Sequence, residues 1–330
     1  ASRIEQFKPD IVGISCMYTM HHGCMRMIAE EIKRLDPRMP VMAGGVHVTA
    51  DRAQVLSECP SIDFVGLYEC DNSLPMLLDV LNGKAGLEGI DQVAMLIGGE
   101  EVVINDASLP PAGEDFVSPD YCGADLARYD ELGQVGVYGF ARQGRPASVA
   151  ITERGCRAKC SFCSVRLFNG TRVRRRGAVA VADELERLHD EHGIRHITWL
   201  DDDFLFSEAQ TIETLEEITS RKLDLTWDAT NGLIAAAITP RLLDAMVESG
   251  CIGFNLGIES GTPEILRKIH KPGTVESFLK TRDLLLKYPH LYVKSFLIIG
   301  FPRETFGQIM NTVNLAVELA FDWSPMQNLN

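Results

Sequence analysis

The sequence predicts an α/β protein in two parts, a partial doubly wound parallel sheet followed by a partial α/β barrel. Three observations carry this. Short apolar runs alternate with helical spacing through residues 1–84. The rhythm breaks over 85–147, and it resumes at 148 and runs to the end of the chain. With 330 residues, 45% of them hydrophobic, the chain can bury a sizeable core without disulfides. A collagen-like or coiled-coil rod and wholesale disorder are excluded on composition. No apolar run approaches the roughly 20 residues that span a bilayer, and no signal-peptide pattern opens the chain. The formal net charge of −14 disfavours a nucleic-acid partner. Nine cysteines, an odd number, suit a reducing cytoplasmic setting and a metal site better than a disulfide framework. The chain starts at Ala1 and its last residues, 323–330, read as the start of another element. It is expected to be clipped at both ends.

In the first part, 10–16, 40–45 and 62–67 read as buried strands, and 24–35, 51–58 and 74–82 as helices. Right-handed crossovers then give a doubly wound sheet. Residues 85–147 are expected to connect the two domains. Within them QVAMLI-GG-EEVVIN reads as a hairpin turning at Gly98-Gly99. In the second part, 148–330, strands are expected at 148–152, 196–200, 224–228, 252–256, 292–299 and 322–329. Helix starts are marked by Ser207 with Gln210, by Thr239-Pro240 and by Thr262-Pro263, and helix ends by Gly193 and Gly250. In such barrels function gathers at the C-terminal ends of the strands.

Cys156, Cys160 and Cys163 stand as C-x3-C-x2-C directly after the strand at 148–152. Three thiolates on one loop can wrap one face of a 4Fe-4S cluster. Full protein ligation needs a fourth, and the next cysteine is Cys251, so one iron would be left open. The alternatives are a structural zinc site or three unrelated thiols. Zinc sites usually pair two couplets, and no second couplet is present. The same stretch, 154–176, holds eight Lys or Arg and no Asp or Glu. It reads either as a solvated positive surface or as compensation for thiolates and a carboxylate-bearing ligand.

Cys156-x3-Cys160-x-Phe162-Cys163 after a first barrel strand resembles the radical S-adenosylmethionine (SAM) enzymes, and Phe162 belongs to that signature. WLDDDF at 199–204, GIESG at 257–261 and FLIIGFPRET at 296–305 agree with it. The resemblance implies a partial (β/α)6 barrel. It also implies a cluster whose open iron binds the amino and carboxylate groups of SAM, and reductive cleavage of SAM to a 5′-deoxyadenosyl radical. Asp202 and Asp203 are then candidates to accept hydrogen bonds from an ammonium or a ribose, or else cap the next turn. Glu259 and Ser260 sit among glycines that allow close backbone approach, or are ordinary loop residues. Asn231 is a further candidate. Gly300 lets a ligand ring approach its strand, with Ile298 or Phe301 to pack on it.

In the first part Ser15 follows one strand and Gly44-Gly45 the next, at adjacent strand ends where open α/β sheets bind ligands. The order S-x-x, then GG-V-H, then VGLYECD resembles the flavodoxin-like cobalamin-binding domains fused ahead of radical SAM barrels, in which the Ser and the Gly pair lie along the cobalamin tail. The D-x-H-x-x-G motif of that family is absent here, and Leu67-Tyr68-Glu69 replaces part of G-E-G-E. His21, His22 and His47 lie near the expected ligand edge and read as plain loop residues rather than cobalt ligands. The resemblance implies a cobalamin-dependent C-methyltransferase acting on a small molecule, with a flavodoxin- or ferredoxin-like reductant. Its alternatives are a radical SAM oxidoreductase or cyclase acting on a tetrapyrrole or other small molecule, and a cobalamin or iron–sulfur sensor. Either reaction would need the strand ends of the first part to face the cysteine loop.

Overall fold

A computed structural model describes residues 2–104, 117–132, 142–170 and 172–329. The chain divides into two compact units, Ala1–Ala112 with Leu167–Asn169 and Gly113–Arg166 with Gly170–Asn330.

The first unit is a five-stranded sheet in sequential order: β1 (Val12–Ser15), β2 (Val41–Gly44), β3 (Phe64–Gly66), β4 (Val93–Ile97) and β5 (Glu100–Ile104). The first three strands are parallel, as the alternation predicts. Helix His22–Leu35 links β1 to β2. It buries Met25, Ala29 and Ile32, one stripe of its surface. Along β2 the side chains alternate between two cores. Val41 and Ala43 join Val55, Leu56 and Val65 on one face, and Met42 joins Leu77, Ile90 and Val93 on the other. The hairpin forms with Gly98-Gly99 at its turn, but it does not stand apart as a connector. β4 pairs antiparallel with β3 and extends the first sheet. Burial of Val93, Ala94 and Met95 explains this, because the free edge of β3 is covered by the nearest apolar strand.

The second unit is built on a six-stranded, wholly parallel sheet: β6 (Ala147–Ala150), β9 (His196–Trp199), β10 (Thr226–Leu233), β11 (Cys251–Glu259), β12 (Tyr292–Ile299) and β13 (Met326–Asn328). Strand order follows chain order, as a partial barrel requires. Between β6 and β9 lies a two-stranded ribbon, β7 (Glu153–Arg154) against β8 (Arg174–Arg175). Helices Ala178–His192, Glu208–Ser220 and Pro240–Glu248 return the chain and bury Leu185, Leu188, Leu215 and Leu243 against Trp199, Trp227 and Phe254.

Thr239 caps its helix as expected, and Gly193 ends another at φ 68. The Ser207 hydroxyl accepts from the Gln210 N–H, one arm of the expected box. Thr262 does not cap, and its hydroxyl donates to the Gln308 carbonyl instead. β10 and β11 both run longer than their apolar cores. Register shifts between Ala229 and Leu233, and between Gly257 and Glu259, let pairing continue while side chains are re-aimed.

Candidate active site

The β7–β8 ribbon clamps both ends of the cysteine loop. Inside it the Ala158 N–H points at the Cys156 Sγ at 3.4 Å, and the Cys163 N–H donates to the Cys160 carbonyl at 3.2 Å. The Ser161 N–H donates to the Ile269 carbonyl at 3.0 Å, which ties the loop to the segment after β11. All three cysteines line one cavity of about 480 Å³.

Among the described residues no three His, Cys, Asp or Glu side chains converge tightly enough to hold a single metal ion. Three thiols around a roomy cavity suit a multi-iron cluster. Burial pushes the Cys156 thiol up to about 12, opposed by the Ala158 N–H and reinforced by Asp203, Cys163 and Asp202. Burial also raises the Cys160 thiol, and the Lys271 charge opposes it. Thiolates in such a place need the positive charge of a bound metal. The donor set therefore fits an iron–sulfur cluster held by Cys156, Cys160 and Cys163.

Four other sequence candidates join the cysteines in this cavity: Phe162, Asp202, Asn231 and Glu259. Phe162 packs with Ile265, Ile269 and Phe301, its ring 6.2 Å from that of Phe301. Ile298 lines the cavity, and Phe301 lies buried behind Phe162. Asn231 lies within β10, where its amide donates to the Leu200 carbonyl at 2.8 Å. Asp202 accepts from the Gly155 N–H at 2.8 Å.

Three candidates are elsewhere. Asp203 is buried against Arg157, 3.1 Å from its Nε. The Ser260 hydroxyl is fully buried, bonded to Thr312 and to the Thr262 N–H, and shapes the turn. Gly300 turns the chain at φ 86 after β12, its N–H on the Glu304 carboxylate, and is not among the cavity-lining residues.

Lys271 was not legible in the sequence. Its ammonium donates to Glu259 Oε1 at 2.8 Å, and both side chains are under 10% exposed on the cavity wall. Gly257 leaves room for the pair: a Cβ there would stand 2.4 Å from Lys271 Nζ and 2.9 Å from Glu259 Oε1. Glu259 itself holds a left-handed backbone, φ 67, at the register shift that ends β11. A buried ion pair at a cavity wall can exchange partners with a zwitterionic ligand.

The basic run is mostly committed within the protein. Arg157 pairs with Asp203, Arg175 with Glu153, and Arg176 with Glu184. Arg166 lines the cavity and donates to the Ala158 carbonyl. Neither a solvated face nor simple thiolate compensation describes these arginines. They brace the loop.

In the first unit, register pairs Ser15 with Gly44 at the C-terminal strand ends. Gly45 has φ 107, and a Cβ there would stand 2.5 Å from the Cys16 carbonyl oxygen. That glycine serves the close approach of two chain segments. At Gly44 the nearest atom to a Cβ is the Gly66 carbonyl at 3.7 Å, so that position is open. Met17, Tyr18 and Met20 follow β1 and are exposed. His22 and His47 are not plain loop residues. They are packed ring to ring with 2.9 Å between Nδ1 and Nε2, and His47 is buried.

Residues 151–316 match the radical SAM superfamily and residues 1–78 the B12 binding domain. The chain belongs to the radical SAM superfamily and carries a B12 binding domain ahead of the barrel. It is 32% identical over 326 residues to an uncharacterized methyltransferase of Pyrococcus horikoshii, covering 98% of this chain and 67% of the relative. It is 26% identical to the cytidylyl-2-hydroxyethylphosphonate methyltransferase of Streptomyces wedmorensis, covering 96% and 64%. The chain thus spans about two thirds of the length of these relatives. Its fold is shared with the radical S-adenosylmethionine methyltransferase TsrM of Kitasatospora setae, solved with tryptophan and a SAM analogue. That match has TM-score 0.79 at 20% identity and covers 99% of this chain and 64% of that one. Among the described residues no helix is long and apolar enough to cross a membrane.

Proposed function

We propose that the protein is a cobalamin-dependent radical SAM enzyme that transfers a methyl group to carbon of a small molecule. The observation that carries this reading is the cavity in which Cys156, Cys160 and Cys163 meet the buried Glu259–Lys271 pair and Asp202. When bound, a 4Fe-4S cluster supplies an electron and an open iron, and cobalamin supplies a methyl carrier. The chain's own groups do the rest. The three thiolates hold the cluster. Lys271 meets the carboxylate of SAM, and Glu259 and Asp202 its ammonium. Phe162 and Ile298 give an apolar wall to its adenine, with Asn231 nearby. Ser15, Gly44 and Gly45 form the edge for the cobalamin tail, and the exposed Met17, Tyr18 and Met20 offer apolar area to a large planar ring. The methyltransferase names of the two relatives support methylation over sensing. The expected setting is the cytoplasm, with a low-potential protein reductant and no nucleic-acid partner.

The test is anaerobic turnover of the reconstituted full chain with reductant, cobalamin, methyl-labelled SAM and an extract of small molecules. The reading expects 5′-deoxyadenosine and a carbon-bound label in one product. 5′-Deoxyadenosine without label transfer would favour an oxidoreductase or cyclase. No 5′-deoxyadenosine from cluster-loaded protein would defeat the enzyme reading.

A further inference from the structure

We propose that Asp201, Asp202 and Asp203 act as one carboxylate ladder that positions Cys156 and sets the potential at which a cluster held there accepts an electron. The inference rests on the cluster reading above. Directly after β9 the three consecutive carboxylates reach back to the segment that carries the first cysteine. Asp201 Oδ1 accepts from the Thr152 N–H at 2.8 Å, the Thr152 hydroxyl at 2.5 Å and the Glu153 N–H at 2.8 Å. Asp202 Oδ2 accepts from the Gly155 N–H at 2.8 Å. Asp203 Oδ2 accepts from the Arg157 N–H at 3.2 Å and lies 3.1 Å from its Nε. Four backbone N–H groups between 152 and 157 are thereby fixed on both sides of Cys156.

Arg157 completes the attachment. Its terminal nitrogens donate to the Phe206 carbonyl at 2.6 Å and the Leu205 carbonyl at 2.9 Å, and its guanidinium lies 5.9 Å from the centre of the Phe206 ring. The cysteine's neighbour is held through both its backbone and its side chain. A run of aspartates that only solvated a loop would point into water. Here Asp201 and Asp203 are buried, and Asp201 Oδ2 and Asp203 Oδ1 have no hydrogen-bond partner among the described residues.

The electrostatic consequence follows from the same geometry. Negative charge beside a thiolate-held cluster makes an added electron less favourable, and a low-dielectric surround preserves the effect. Arg157 offsets part of that charge. Removing an aspartate charge and removing the arginine charge should therefore move the potential in opposite directions.

The full chain, reconstituted anaerobically, is to be compared with Asp203→Asn, Asp203→Ala and Arg157→Gln by iron content and by redox titration of the reduced cluster's electron paramagnetic resonance signal in mildly alkaline buffer. Asn keeps the acceptor oxygen and loses the charge. Asp203→Asn should keep wild-type iron and titrate at a more positive potential, Arg157→Gln at a more negative one, and Asp203→Ala should lose much of its iron. Equal potentials for wild type and Asp203→Asn, or shifts of the same sign in Asp203→Asn and Arg157→Gln, overturn the inference. If wild type takes up no cluster, the cluster reading fails first and the inference falls with it. Should Asp203→Asn lose its fold by circular dichroism, the sign of the shift in Arg157→Gln decides alone.

Discussion

The cysteine loop of the second unit and the strand ends of the first both lie at the C-terminal ends of parallel strands, but they are built differently. Around the cysteines, ionisable side chains are buried in pairs: Glu259 with Lys271, Glu153 with Arg175, and Asp203 with Arg157. At Ser15 and Gly44 the edge is small residues beside the exposed Met17, Tyr18 and Met20. The first arrangement matches the charged groups and inorganic centre proposed for it. The second offers an open shelf and apolar contact. Polar groups at a buried site must be paired before the ligand arrives, because each unpaired one costs free energy on folding. An apolar shelf carries no such requirement. Substitutions should therefore cost stability at the cysteine loop and ligand affinity on the open part of the shelf, with Gly45 the exception because two chain segments meet there.

The largest effect is expected at Lys271. Lys271→Met leaves the Glu259 carboxylate buried without its partner, and breaking a buried pair from one side costs about 3–5 kcal/mol. Chemical denaturation should register the loss, and adding Glu259→Gln should restore much of it. If Lys271→Met melts like wild type, the pair is not the buried element described.

Next comes a test within the shelf. Gly45→Ala puts a methyl group 2.5 Å from the Cys16 carbonyl oxygen at a backbone φ of 107, and should cost about 1–3 kcal/mol. Gly44→Ala has room and should change stability by under about 0.5 kcal/mol. A larger residue, Gly44→Leu, should leave the unit folded and weaken cobalamin retention in equilibrium dialysis. Unchanged retention would remove Gly44 from the proposed edge.

The pH dependence separates the regions more gently. Burial first, then the Asp201 charge, pushes Glu153 up from 4.5 to about 9. Folding thus favours its protonated form. The contribution is full below about 4.5 and is lost as pH rises through about 9. Burial holds Asp201 and Asp203 at about 6, with the same sign at lower pH. Thermal unfolding of the second unit should weaken from mildly acid to alkaline buffer, and Glu153→Gln should flatten the upper part of the slope. A stability that rises over that span would contradict the placement of Glu153.

Much of the second unit was legible because its strands are short apolar runs bounded by capping residues, and because three cysteines in C-x3-C-x2-C spacing are rare by chance. What was hidden depends on side-chain direction. Three aspartates in a row look alike in sequence. The fold puts Asp202 on the cavity and turns Asp203 onto Arg157. Ser260 and Gly300 sit in motif positions yet serve turns: the Ser260 hydroxyl accepts from the Thr262 N–H, and the Gly300 N–H donates to the Glu304 carboxylate. Lys271 lies in LRKIHKPG, a stretch with no motif, and only the chain's return after β11 brings it to Glu259. The hairpin was visible, but not its partner, because pairing with β3 is a long-range choice.

The central claim is that Cys156, Cys160 and Cys163 hold a cluster with one open iron. The direct measurement is electron paramagnetic resonance of the anaerobically reconstituted, reduced protein before and after addition of SAM, beside the triple Cys→Ala variant. The account predicts a 4Fe-4S signal that changes shape when SAM binds, and no signal or cluster iron in the variant. A full cluster in the variant, or a wild-type signal indifferent to SAM, would contradict it.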